Sequence, residues 1–278
     1  MSLVSKSWRY RWKTCPYLNF DLHFIYPEEE TSTRPMSWQK QLRYANWVNQ
    51  VLASHQGESI ELLKIRSWLP KLNAYADVDQ WIKFALQKRA ASIIIIDMAS
   101  YEHGRYTLPL WFSLKDAPFL KHLSLGNICL GPFEVSCLNH LTSLTLNNVF
   151  ISQTWVHDML RNCIHLRRLA LLQCTSLSIS KLVVPHHLKL QHLSMFSSLR
   201  YLREVEFEDG LNLESFECSS KIIKGFSFEK LGNLRKLSLL GSSSSSFDIL
   251  DHVVTRLGLD LPNLEYFHLG VGVVCSCH

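Results

Sequence analysis

Leu141-Thr142-Ser143-Leu144-Thr145-Leu146 and Leu166-Arg167-Arg168-Leu169-Ala170-Leu171 decide the fold. Both read Leu-x-x-Leu-x-Leu, and the string or a close apolar variant recurs on either side of them. It appears as Leu120/Leu123/Leu125, Leu190/Leu193/Met195, Leu213/Phe216/Cys218, Leu234/Leu237/Leu239 and Leu264/Phe267/Leu269. Successive starts lie 21, 25, 24, 23, 21 and 30 residues apart. Self-similarity at such a period marks an architecture in which no unit buries its apolar face alone and stacked neighbours share one core.

The last two apolar residues of each motif are two positions apart. On an extended chain this puts them on one face, with the residues between them on the other. The period matches leucine-rich repeats, about 20–29 residues each. The expectation is an α/β leucine-rich-repeat solenoid with a curved parallel sheet on its concave face and helices and irregular turns on its convex face. Each rung buries several large apolar side chains worth about 1.5–3 kcal/mol apiece, so the chain reads as one cooperative body.

Helices are expected between the strands. Ser152 is placed to cap one that carries Trp155, Val156, Met159, Leu160 and Cys163 on one stripe. A second runs from about Asp248 to Gly258 and explains the long last step. Upstream, the spacing predicts a helix over 37–54 with Trp38, Leu42, Ala45, Val48 and Leu52 inward, then a strand at Ile60/Leu63/Ile65. Asp77 is the expected cap of a helix through Trp81, Ile82, Ala85 and Leu86, followed by a strand around Ile94 and Ile96. Leu202/Val205/Phe207 fits either a rung or an irregular extra strand.

Composition narrows the function. The 278 residues are 47% apolar, enough for a sizeable core. The charge of +5 comes from 29 basic and 24 acidic residues that are scattered, with no Lys/Arg block to neutralise a row of phosphates, so nucleic-acid binding is not expected. Apolar runs such as Ile93 to Ile96 fall far short of the roughly 20 residues that span a bilayer, and no leader-like segment opens the sequence. No membrane contact is expected, and the address expected is cytoplasmic or nuclear.

The eight cysteines sit mostly in apolar surroundings and read as buried free thiols. Cys275, Cys277 and His278 lack the fourth ligand of a closed zinc site, so no metal or other cofactor is expected. The sequence contains no nucleophile elbow, phosphate loop or His-x-x-x-His pair, so no catalytic residue is assigned and the chain is not expected to be an enzyme.

Partner binding is expected on the solvent-pointing residues of the strands. The third motif position gives His122, Ser143, Arg168, His192, Ser215, Lys236 and Tyr266, and the fifth gives Ser124, Thr145, Ala170, Ser194, Glu217, Ser238 and His268. The strip is polar and somewhat basic. Arg168, Lys236 and Tyr266 are of the types most often found as interface anchors.

The first twenty residues are expected to lie outside the repeat. Ser2-Leu3-Val4-Ser5-Lys6-Ser7-Trp8-Arg9-Tyr10-Arg11-Trp12, followed by Leu18-Asn19-Phe20-Asp21, resembles the string that closes the F-box in plant F-box/leucine-rich-repeat proteins. Trp47-Val48-Asn49-Gln50-Val51-Leu52, Asp79-Gln80-Trp81-Ile82-Lys83-Phe84-Ala85 and Leu213-Glu214-Ser215-Phe216-Glu217-Cys218 agree with that family as well. The resemblance implies the substrate receptor of an SCF-type cullin ubiquitin ligase. In that family the F-box grips a Skp-type adaptor and the repeats hold an unknown target protein.

Carried onto this chain, the resemblance makes residues 1–22 the C-terminal part of an F-box truncated on its N-terminal side, with Leu3, Val4, Trp8 and Trp12 touching the adaptor. Residues 23–278 are then the solenoid, with irregular longer units over 23–118 and regular repeats over 119–278. The alternative is a scaffold or decoy that binds the same partners without the ligase. Either way the chain is expected to be monomeric on its own.

Overall fold

A computed structural model describes residues 11–27, 36–69, 74–98, 105–109, 117–131, 138–175, 180–196, 202, 204–219, 230–242 and 261–272. The chain forms two compact units, Met1–Phe133 and Glu134–His278.

In the first unit, strands β1 (Tyr17–Asp21), β2 (Leu62–Ser67), β3 (Ser92–Asp97) and β4 (His122–Gly126) lie side by side in that order, all parallel. Helix α1 (Trp38–Ser54) joins β1 to β2, and α2 (Ala74–Gln87) joins β2 to β3. Parallel neighbours need such crossovers. The core is laid down by alternation: Leu18 and Phe20, Leu63 and Ile65, Ile93 and Ile95, and Leu123 and Leu125 are all buried. Tyr44, Ala45, Val48 and Leu52 of α1 and Val78, Trp81, Ile82 and Ala85 of α2 are buried with them.

Three expectations change here. Tyr17–Asp21, assigned to the segment outside the repeat, is a full strand in register with β2, because Leu18 and Phe20 supply the alternating apolar face. On α1, Trp38 and Leu42 are exposed, and Tyr44 joins the buried stripe because its hydroxyl donates to the Phe20 carbonyl at 2.6 Å. Helix α2 begins at Ala74, so Asp77 lies in its first turn, where a carboxylate suits the helix dipole. There Asp77 accepts a bond from Asn49 Nδ2 at 3.0 Å, and Asn49 Oδ1 accepts one from Trp81 Nε1 at 2.6 Å. The strand expected around Ile94 and Ile96 is present as β3, with Ile93 and Ile95 buried and Ile94 and Ile96 half-buried on the other face.

One buried carboxylate ties this unit together. Asp97, at the end of β3, is fully buried and accepts bonds from the Leu69 and Tyr106 amides at 3.1 and 3.4 Å. Its backbone carbonyl accepts a third from Asn127 Nδ2 at 2.6 Å.

In the second unit, β5 (Ser143–Asn147), β6 (Arg168–Leu172), β8 (His192–Met195), β10 (Ser215–Ser219), β11 (Lys236–Ser242) and β12 (Tyr266–Gly272) form one parallel run. With β4, these are the seven strands that the motif predicts. From the first motif to the sixth, all three apolar residues are buried, whereas Phe267 of the last is 37% exposed and Leu264 and Leu269 are half-buried.

Helix α3 (Gln153–Asn162) has the expected cap, the Trp155 amide donating to Ser152 Oγ at 3.1 Å, and buries Val156, Met159 and Leu160. The remaining pair, β7 (Lys181–Val184) and β9 (Glu204–Phe207), makes a separate two-stranded parallel sheet. Leu202/Val205/Phe207 is therefore the irregular extra strand and not a rung. The expected helix from Asp248 lies outside the described residues.

Three rungs turn at the same place. Asn127, Asn148 and Gln173 each follow their strand with φ of 54°, 53° and 52°. Asparagine enters this left-handed region more readily than most residues, and each rung leaves the sheet at that point.

Candidate protein-docking face

Strand pairing turns single residues into rows. Ser143, Arg168, His192, Ser215, Lys236 and Tyr266 are successive register partners across β5, β6, β8, β10, β11 and β12. Thr145, Ala170, Ser194, Glu217, Ser238 and His268 form a second row two residues further along. Both rows occupy the face opposite the leucine core, as alternation requires. His122 and Ser124 hold the same two positions on β4 in the first unit, alongside Ser92 and Ile94 of β3.

The rows are not uniformly open. Ser238 is buried, 6% exposed, with its hydroxyl 3.1 Å from His268 Nδ1, so it supports the face and does not present itself on it. Lys236 Nζ lies 3.7 Å from Glu217 Oε1 and 5.2 Å from the centre of the Tyr266 ring, so acid, base and aromatic brace one another. Arg168 is exposed and forms no salt bridge among the described residues. Burial, then the neighbouring charge of Arg168, pushes the His192 imidazole below its ordinary value, so it is neutral at pH 7.

Between these side chains runs a groove of about 550 Å³, lined by Thr145, Arg168, His192, Ser194, Glu217 and Lys236 among others. Its floor is small because the fifth-position residues Thr145, Ala170 and Ser194 are small.

Sequence reasoning passed over the second motif position and the residue before each motif. Glu214 and Arg235 also line this groove. Together with Gln191, Asn212, Asn233 and Asn263 they line a neighbouring hollow of about 680 Å³ at the start of β10 to β12. Gln191 Nε2 donates to Glu214 at 3.0 Å, Asn233 Nδ2 to Asn212 at 3.1 Å, and Asn263 Nδ2 to the Gly232 carbonyl at 2.7 Å. The signal was present: Asn212, Asn233 and Asn263 each precede a motif leucine.

Of the residues assigned to adaptor contact, Trp12 opens a short 3-10 turn, Trp12–Thr14, and is 44% exposed. Leu3, Val4 and Trp8 lie outside the described residues, as do Cys275, Cys277 and His278. Among the described residues, no cluster of three or more His, Cys, Asp or Glu could hold a metal ion, and no helix is long and apolar enough to cross a membrane. Cys15, Cys129, Cys163, Cys174 and Cys218 are free, and burial pushes the Cys163 and Cys174 thiols up to about 12 and about 11.

The family model of the At1g61320/AtMIF1 leucine-rich-repeat domain matches residues 51–272. The chain belongs to this leucine-rich-repeat family. A leucine-rich-repeat domain of this kind is a protein-interaction module. Two curated relatives come from Arabidopsis thaliana. The F-box/LRR-repeat protein At3g58880 is 34% identical over 53% of this chain and 31% of its own length. The F-box/FBD/LRR-repeat protein At5g56420 is 26% identical over 62% of this chain and 38% of its own length. The chain thus spans about a third of the length of the relatives it matches. Their names bear out the plant F-box/leucine-rich-repeat resemblance in the sequence. No solved structure matches the chain.

Proposed function

We propose that the chain is the target-holding part of an F-box-type substrate receptor, acting in the cytoplasm or nucleus within an SCF-type cullin ubiquitin ligase. The rows on β5 to β12 hold the protein to be ubiquitinated, and the segment containing Leu3, Val4, Trp8 and Trp12 meets a Skp-type adaptor. The registration of six strands carries this reading. It fixes polar and charged groups at regular intervals over a broad surface, as recognition of a macromolecule requires. The F-box names of the relatives supply the ligase context.

Calorimetry and pull-down with a plant Skp adaptor test the reading, using residues 1–278 beside a version extended upstream by a complete F-box. Micromolar or tighter binding by residues 1–278, about 8 kcal/mol, supports adaptor contact through Trp12 and its neighbours. Binding by the extended version alone makes this chain a receptor surface that holds partners without engaging the ligase.

A further inference from the structure

Charge on the groove is unevenly satisfied. Glu214 accepts from Gln191, and Arg235 lies 3.7 Å from Glu265, so both have neighbours outside the groove. Glu217 shares Lys236 at 3.7 Å, a loose contact that an incoming carboxylate can replace. Arg168 has no acidic partner among the described residues. The Tyr266 ring limits the wandering of Lys236, the other cation of the row.

The spacing between these two cations is set by the sheet. Arg168, His192, Ser215 and Lys236 are consecutive register partners, so three strand intervals of about 4.8 Å separate Arg168 from Lys236, about 14 Å in all. An extended peptide laid across the strands rises about 3.3 Å per residue and returns its side chains to one face every second residue. Residues four apart therefore point the same way about 13 Å from one another. Resting on the docking-face reading above, we infer that this row takes an extended acidic segment of the target whose carboxylates stand four residues apart, one on Arg168 and one on Lys236.

The intervening groups fit such a ligand. His192 and Ser215 lie beneath the peptide between its two acids and offer hydrogen-bonding groups to its backbone. The small side chains of Thr145, Ala170 and Ser194 leave room for it. The arginine guanidinium matches a planar carboxylate in two-point geometry, and lysine supplies a point charge at the far end.

The test uses the full chain at low ionic strength and a fluorescent Ser/Gly peptide carrying Glu at positions i and i+4, with binding followed by anisotropy. Replacing both Glu by Gln, or moving the second to i+3 on the opposite face, should each weaken binding at least about 10-fold. Arg168→Gln should do the same with an unchanged circular-dichroism spectrum, since Arg168 is exposed. In the unmodified chain, bound peptide should raise the NMR titration midpoint of His192.

Absence of binding, or equal binding of the Gln peptide, overturns the acidic motif while leaving the face available to another partner chemistry. Binding that survives both Arg168→Gln and Lys236→Gln overturns the docking face itself. A thymidine oligonucleotide of equal length that binds as well, with the same dependence on Arg168, overturns the peptide as occupant. No adaptor is present in this assay, so none of these outcomes bears on the calorimetry above.

Discussion

In the unit Met1–Phe133 the cations beside the sheet are neutralised locally: Lys64 lies 2.9 Å from Asp21 and Arg66 3.8 Å from the same carboxylate. In the unit Glu134–His278 Arg168 has no such partner among the described residues, and Lys236 has only the longer contact with Glu217. The cores differ in the same direction. The first unit is covered by helices of 17 and 14 residues and joined by buried polar bonds at Asp97 and Tyr44 and a half-buried one at Asn49. The second rests on a ladder of leucines and their substitutes, with one helix of 10 residues among its described parts. One rung geometry thus serves two ends: the first unit uses its polar groups to hold itself together, and the second leaves them facing outward.

The largest expected effect is in the ladder. Leu193→Ala, fully buried on β8, should cost about 3 kcal/mol in urea unfolding, as truncation of a packed leucine does. Asp97→Ala should cost about 2 kcal/mol by removing the carboxylate that accepts from two buried amides. Hydrogen exchange sharpens the contrast: Asp97→Ala should open amides of β2 to β4. Equal loss of protection across β5 to β12 would mean that the two units unfold as one body.

Acid should distinguish the units too. Burial raises the Asp21 carboxyl, but the bond from Lys64, the His23 amide and the charges of Lys64 and Arg66 outweigh it and hold it below its ordinary value. Its contribution is complete above the unfolded value of about 3.9 and disappears as pH falls through the lower folded one. Asp21→Asn should flatten that acid limb, read by thermal unfolding between neutral and strongly acidic buffers. Ser152→Ala should cost about 1 kcal/mol through the lost cap of α3. Arg168→Gln should change stability by no more than about 0.5 kcal/mol, since the side chain is exposed.

Much of this was legible because period is a strong signal. All seven predicted strands are present, and alternation alone assigned the third and fifth positions to the outward face. Less was legible where one side chain carries both polar and apolar character. Tyr44 belongs to the core only because the Phe20 carbonyl receives its hydroxyl, a partner 24 residues away in sequence that no helical periodicity reveals. Trp38 and Leu42 look inward on apolarity, yet they lie at the margin of a stripe whose centre Tyr44 and Val48 define. The pairing of β9 with β7 depends on a connection that breaks the repeat, and Ser238 is covered because His268 lies across it.

The turns at Asn127, Asn148 and Gln173 bear on how such a chain can vary. Motif starts differ by 21 to 30 residues, yet the strands pair without losing register by a single position. These three rungs leave the sheet at one corner, and every rung returns in register at its leucine, so differences in length are absorbed in the connections behind. The outward residues behave like columns in a table whose row heights may change. Mutation can rewrite one column without moving its neighbours, and a lineage can explore new partners residue by residue while the scaffold stays constant.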